Sequence, residues 1–264
     1  MIIPASGGYS HINFAGTKES KSVALGFEPV SGRITVQDGV YQQLRHALMV
    51  GSFDPGQVLT IASLAEAFGT SNMPVREALR RLAAENALEI SQNGSACVPV
   101  VTRARLDDLC RARLAVEGLA AELGAPRLTA AEIGLLQRVT DDQQAIGRDG
   151  SIYELIAKNQ QFHFTIYRAS GSDVLFQLIE TLWLRFGPYM RLLSNHVAPL
   201  MRAGSMEPSG RHVAIIAAIK NKDFTRARDE VVADITATQA TLRAICPDVP
   251  EPRPVDFAAF GRAP

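Results

Sequence analysis

Gly69-Thr70-Ser71-Asn72-Met73-Pro74-Val75-Arg76-Glu77-Ala78-Leu79-Arg80-Arg81-Leu82 (residues 69–82) decides the fold. The stretch reads as a loop, a cap and a short helix with a polar, basic outer face. Val75, Leu79, Leu82 and Ala83 recur at helical spacing and are expected to be buried, while Asn72, Met73, Arg76 and Arg80 face the other way. Asn72, Arg76 and Arg80 are four apart and form one line along the helix. Ser71 is placed to cap the first free N–H groups, and Pro74 falls in the first turn, where a missing donor does no harm. Such a helix, with its N-terminal end outward, suits entry into the DNA major groove.

Upstream, a helix is expected over 36–50, with Val40, Leu44, Ala47 and Leu48 inward. Gly51 ends it, and Asp54-Pro55-Gly56 is a turn. Thr60 caps a second short helix reaching Phe68, with Leu64 and Ala65 inward. Downstream, Leu88 and Ile90 are followed by Gln92-Asn93-Gly94-Ser95 and then by Cys97, Val98, Val100 and Val101. Asn-Gly between two short apolar runs signals a hairpin, because both central residues must take positive φ. Three helices and a hairpin make a winged helix-turn-helix, expected over 33–102, with Asn93 and Gly94 at the wing tip near the DNA backbone or minor groove. From 103 to 246 the pattern is helical, with candidate helices at 103–124, 129–147, 151–170, 172–193, 207–220 and 223–245 and a stretch at 194–206 that is loop-like or a frayed helix end. This predicts an all-α bundle, so the fold class is mainly α. Residues 1–32, rich in Gly and Ser, read as a flexible arm, and 247–264, rich in proline, as a tail.

The chain holds 27 basic and 27 acidic side chains and has a formal net charge of zero. That balance argues against coating nucleic acid by bulk electrostatics, and leaves room for a dimer that aims a few arginines at one operator. Segment 33–105 is itself close to balanced, which predicts weak non-specific binding. No apolar run reaches membrane-spanning length and no secretory pattern opens the chain, so the expected setting is cytoplasmic, without a membrane partner. Cys97, Cys110 and Cys246 are odd in number and widely spaced, and read as thiols outside any disulfide or zinc cluster.

The order of these pieces resembles the GntR family of bacterial transcription regulators. The resemblance is carried by Tyr41-Gln42-Gln43-Leu44-Arg45, Gly51-Ser52-Phe53-Asp54-Pro55-Gly56, Leu64-Ala65-Glu66 and Pro74-Val75-Arg76-Glu77-Ala78-Leu79. The helical remainder is similar to the FCD ligand-binding domain of the FadR-like branch, so the resemblance spans roughly 36–245. It implies a homodimeric regulator, not an enzyme, that binds palindromic double-stranded operator DNA. By that resemblance it is a ligand-responsive repressor of a catabolic operon, released or repositioned by a small carboxylate effector. Ser71, Asn72, Met73, Arg76, Arg80, Asn93 and Gly94 are its expected DNA contacts. The family usually has arginine where Asn72 stands, and basic residues where Ala62 and Ser63 stand. Asparagine can pair bidentately with adenine instead of guanine, which predicts an altered operator preference; the other reading is that Asn72 only starts the helix.

A second constellation lies in the helical region. Asn159 and His163 are four apart on one helix, while His212 and Asp234 flank the break at Asn221-Lys222 by ten and twelve residues. At helical rise these lie roughly 15 and 18 Å from the break, hence level on an antiparallel pair. The four positions match the family's metal site, usually one aspartate and three histidines. Two imidazoles and two oxygens can hold zinc, nickel or manganese. Without metal, the histidines would be hydrogen-bonded structural residues. Arg113, in Arg113-Leu114-Ala115-Val116-Glu117, matches a position whose guanidinium can pair with an effector anion; the alternative is a surface pair with Glu117. Arg185 and Arg191 are weaker candidates, and Trp183 and Phe186 read as core or dimer-interface residues. Two alternatives use the same residues: a switch for which the ion is the signal, and a metal-dependent enzyme activating water.

Overall fold

A computed structural model describes residues 35–90, 95–146, 151–203 and 210–247. The arm at 1–32, the wing tip with Asn93 and Gly94, and all but the start of the tail lie outside the described residues. The chain divides into two compact units. The first holds the described residues up to Leu48 together with Gly56–Pro99; the second holds Met49–Pro55 and the chain from Val100 onward.

In the first unit, α1 (Val36–Met49), α2 (Ile61–Ala67) and α3 (Asn72–Ala84) pack around Val40, Leu44, Leu64, Val75, Ala78, Leu79 and Leu82, all buried. Thr60 caps α2, its hydroxyl accepting from the Ser63 N–H at 3.3 Å. Ser71 is the N-cap residue of α3, but its hydroxyl makes no capping bond. Ala78 takes the buried place expected of Ala83, which is only half-buried. The C-terminal end of α3 is tied to α1: Arg81 lies 3.7 Å over the Tyr41 ring, and the Tyr41 hydroxyl donates to Glu85 at 2.7 Å.

The expected hairpin is present as β2 (Glu89–Ile90) and β3 (Ala96–Cys97), antiparallel, with Ile90 opposite Ala96. A third strand, β1 (Val58–Leu59), pairs with the other edge of β3, giving the order β1-β3-β2. Two residues are too few to show an alternating pattern, so β1 left no periodic trace in the sequence. Backbone bonds Gly56 N–H to Val98 O and Val98 N–H to Gln57 O, both 2.9 Å, extend its pairing.

From Arg103 onward the described residues of the second unit form helices joined by short connections: α4 (Arg103–Gly124), α5 (Ala130–Ile146), α6 (Ile152–Arg168), α7 (Asp173–Arg202), α8 (Gly210–Lys220) and α9 (Phe224–Ile245). Thr102, Ser172 and Asp223 cap α4, α7 and α9 through side-chain oxygens. The core joins Leu106, Leu109 and Cys110 of α4 to Ile156 of α6, Phe186, Tyr189 and Met190 of α7, and Leu242 of α9. Gly51, in this unit, takes φ +72°, and a Cβ there would meet the backbone nitrogen of Arg191 at 2.6 Å, so only glycine permits that approach.

Helix α7 departs from the sequence expectation. Residues 194–202, expected to be loop-like or a frayed helix end, continue the helix to Arg202 through Pro199, while Pro188 lies within the helix expected over 172–193. Proline normally breaks a helix by removing a donor and crowding the preceding turn. Here Val197 and Met201 cluster with Leu155 on the buried side, and the Tyr189 hydroxyl donates to Thr102 O at 2.9 Å. Tertiary burial overrides the local signal.

Gly124 ends α4 where it crosses α6, and a Cβ there would overlap the carbonyl oxygen of Ile166. This close crossing sets the inward face of α4, with Arg113 and Glu117, beside that of α6, with His163 and Tyr167. No helix among the described residues is long and apolar enough to cross a membrane.

Candidate functional site

Two sets of side chains stand out. On α3, Ser71, Asn72, Met73, Arg76 and Arg80 are all exposed, as expected. Asn72, Met73, Arg76, Glu77 and Arg80 line an open surface depression of about 420 Å³. Arg80 leans on Glu77 at 2.9 Å, an exposed pair worth little in water. Arg76 has no such neighbour among the described residues. The wing residues Asn93 and Gly94 lie outside the described residues.

Inside the second unit, His163 of α6, His212 of α8 and Asp234 of α9 bring one ligating atom each to within 4.8 Å of one another. His163 Nε2 lies 3.3 Å from Asp234 Oδ2 and 3.3 Å from His212 Nε2. Both histidines are 2% exposed. Asn159 stands one turn before His163 on α6 and is half-buried.

The surroundings fix how the imidazoles face each other. His212 Nδ1 lies 2.7 Å from Gln143 Oε1, which can only accept, so that nitrogen carries the proton. Phe162 stacks on the His212 ring at 3.8 Å and holds its plane. For His163 the orientation arrives through a relay from α4. Arg113 donates to Glu117 from Nε at 2.6 Å and from Nη2 at 3.4 Å. The Tyr167 hydroxyl donates to Glu117 Oε2 at 2.7 Å, and its oxygen can then accept from His163 Nδ1 at 3.3 Å. With both Nδ1 atoms donating outward, both Nε2 lone pairs and a carboxylate oxygen converge on one spot. Ligands about 2.0–2.1 Å from a tetrahedral ion stand about 3.3 Å apart, so the residues present fit a divalent metal.

The titration behaviour agrees. Burial, and then the neighbouring His163, push the His212 imidazole down to about 3, so it stays neutral and able to ligate. Burial would raise the Asp234 carboxyl, but the hydrogen bond and charge of His163, with His212 and Arg113, hold it below the ordinary value.

Arg113 is not at the surface. Its pair with Glu117 forms, but inside the unit, where Glu117 is 0% exposed, and the guanidinium lies over Phe186 at 4.3 Å and Trp183 at 5.0 Å. Burial would lower the Arg113 pKa, and Glu117 more than offsets it. Glu117 takes the Nε–Nη2 edge; Nη1 has no part in that pair. Trp183 and Phe186 are buried, and the Trp183 Nε1–H has no partner among the described residues. Arg191 pairs with Asp54 at 2.6 Å and with Tyr153, and Arg185 is held below its ordinary pKa, chiefly by burial.

Tyr167 and Gln143 went unmarked in the sequence, and Glu117 entered only as the possible i,i+4 partner of Arg113. The i,i+4 spacing of His163 and Tyr167 was the trace that could have found Tyr167.

Residues 36–98 match the bacterial regulatory proteins of the gntR family and residues 108–237 match the FCD domain. The HTH-type transcriptional regulator McbR of Escherichia coli K12 is 34% identical over 208 residues, covering 79% of this chain and 88% of McbR. The chain belongs to the GntR family. As a GntR regulator with an FCD domain it is a transcriptional regulator that binds operator DNA, not an enzyme. The solved structure of E. coli McbR/YncC superposes with a TM-score of 0.73 at 31% identity, covering 80% of this chain and 98% of that one. A GntR regulator from Rhodococcus sp. RHA1 shares the fold at TM-score 0.65 and 17% identity. The HTH-type transcriptional repressor GlaR of E. coli K12 is 24% identical over 200 residues, covering 74% of this chain and 90% of GlaR.

Proposed function

We propose that this GntR regulator is a cytoplasmic, homodimeric repressor of a catabolic operon, which binds a palindromic operator through α3 and is released or repositioned by a small carboxylate. One observation supports the effector half most: three ligating atoms from α6, α8 and α9 converge, and the second nitrogen of each of the two histidines is already committed elsewhere. His163, His212 and Asp234 would hold a divalent ion (zinc, nickel or manganese), with Asn159 beside them as a weaker oxygen donor. Such an ion supplies a Lewis-acidic anchor for a carboxylate oxygen. Arg113 is the accompanying candidate for effector contact, through the Nη1 side that Glu117 leaves. The repressor reading draws on GlaR, and the dimer on the geometry of half-site recognition. An effector acts by its different affinity for two spacings of the paired reading heads.

The test joins two measurements. Elemental analysis of protein purified without added metal is expected to find about one ion per chain, and none in His212→Ala. A thermal-shift screen of small carboxylates is then expected to give hits on the metal-loaded parent and none after chelation. Metal-free parent protein would sink the metal reading. If the ion alone, without any carboxylate, controls operator release in a gel shift, the metal-switch reading holds instead.

A further inference from the structure

Met73 is the second residue of α3 and is 64% exposed, while the apolar side chains Val75, Leu79 and Leu82 of the same helix are buried. It stands in the depression with Asn72, Arg76, Glu77 and Arg80, whose other members are all polar or charged. A large apolar side chain held in water at that point gains from an apolar partner on whatever α3 meets. In the major groove, the first turn of a recognition helix meets base edges. Among the donors, acceptors and C–H groups of those edges, the only methyl group is the C5-methyl of thymine. Methionine suits that contact, being unbranched, polarisable and able to adjust over three torsions. Asn72, immediately before it and exposed, carries the amide that pairs bidentately with adenine N6 and N7.

We infer that Met73 reads a thymine methyl in each half-site, next to the base pair read by Asn72. The inference rests on α3 being the helix that enters the groove. It makes operator choice depend on an A·T-rich pair of positions, read by one amide and one thioether side chain.

The experiment selects operator sites from a random DNA library with the full-length protein. The thymines of the selected half-sites are then replaced, one symmetric pair at a time, by deoxyuridine. That change removes only the C5-methyl and keeps base pairing and every groove hydrogen-bonding group. One symmetric thymine pair is expected to show about fourfold weaker binding per half-site, about 15-fold for the palindrome, the effect of losing one buried methyl-sized contact. Met73→Ala is expected to bind methylated and unmethylated sites alike, and Met73→Leu to keep the discrimination. If no thymine is methyl-sensitive, or if Met73→Ala keeps the same penalty, the inference is overturned. Arg76→Ala separates the underlying reading: if it binds the selected sites as tightly as the parent, α3 is not the reading helix and the Met73 inference falls with it. If Arg76→Ala loses the sites while the methyl is silent, only the Met73 inference falls.

Discussion

The outer face of α3 and the cluster around His163 use the same kinds of side chain in opposite ways. On α3, Asn72 and Arg76 are exposed, with no hydrogen bond holding them in place among the described residues. Around His163, Arg113, Glu117, Tyr167, Gln143 and His212 spend their hydrogen bonds on one another. Donors left to water are cheap to keep and free to meet a phosphate or a base. Buried donors must be satisfied internally, and the same satisfaction aims the two imidazoles. The first surface can therefore change residue by residue with little effect on folding, whereas the second binds folding and function together.

That contrast can be broken most severely at Glu117. Replacing it with alanine leaves the Arg113 charge buried without its partner, and is expected to lower stability by about 3–5 kcal/mol in urea denaturation. A loss under 1 kcal/mol would mean that the relay does not hold the fold. On the exposed side, Arg76→Ala is expected to weaken specific operator binding by about 100-fold or more in a gel shift while leaving the denaturation midpoint in place. A shifted midpoint would show that α3 is not the independent surface described.

Protons give a smaller effect. Chelator-treated protein is expected to lose stability as pH falls through the ordinary histidine range. The folded pKa of His212 is depressed to about 3, so the unfolded chain binds the proton first; the term is present above about pH 6.5 and lost below it. At pH 5 the loss is about 2 kcal/mol, and His212→Ala should remove that dependence. The gentlest probe is optical. Trp183 is the only tryptophan, and its ring lies 6.0 Å from that of His163. Adding nickel or manganese should quench its fluorescence saturably, with recovery on chelation and no quench in His212→Ala. An unquenched signal at full metal loading would place the ion elsewhere.

Much of this was legible in one dimension. The buried face of α3, the Thr60 cap, the β2–β3 pairing and all but one of the long helices follow from apolar period and stop residues close in sequence. Even the meeting of His163, His212 and Asp234 could be approached by counting helical rise from the Asn221-Lys222 break. The misreadings share a cause. Strand β1, the run of α7 beyond residue 193 through Pro199, and the burial of an Arg113–Glu117 pair that the alternative reading put at the surface are each decided by what lies opposite, not by neighbours in the chain.

The sequence by itself determined which side chains the reading helix offers to DNA, because an exposed helical face depends only on spacing and on the buried stripe behind it. Tertiary structure alone decided that Glu117, Tyr167 and Gln143 orient the two histidines. The Tyr167–Glu117 and His212–Gln143 bonds join α6 to α4 and α8 to α5 across 50 and 69 residues, and no local period encodes a contact between separate helices; only the His163–Tyr167 step stays within one helix.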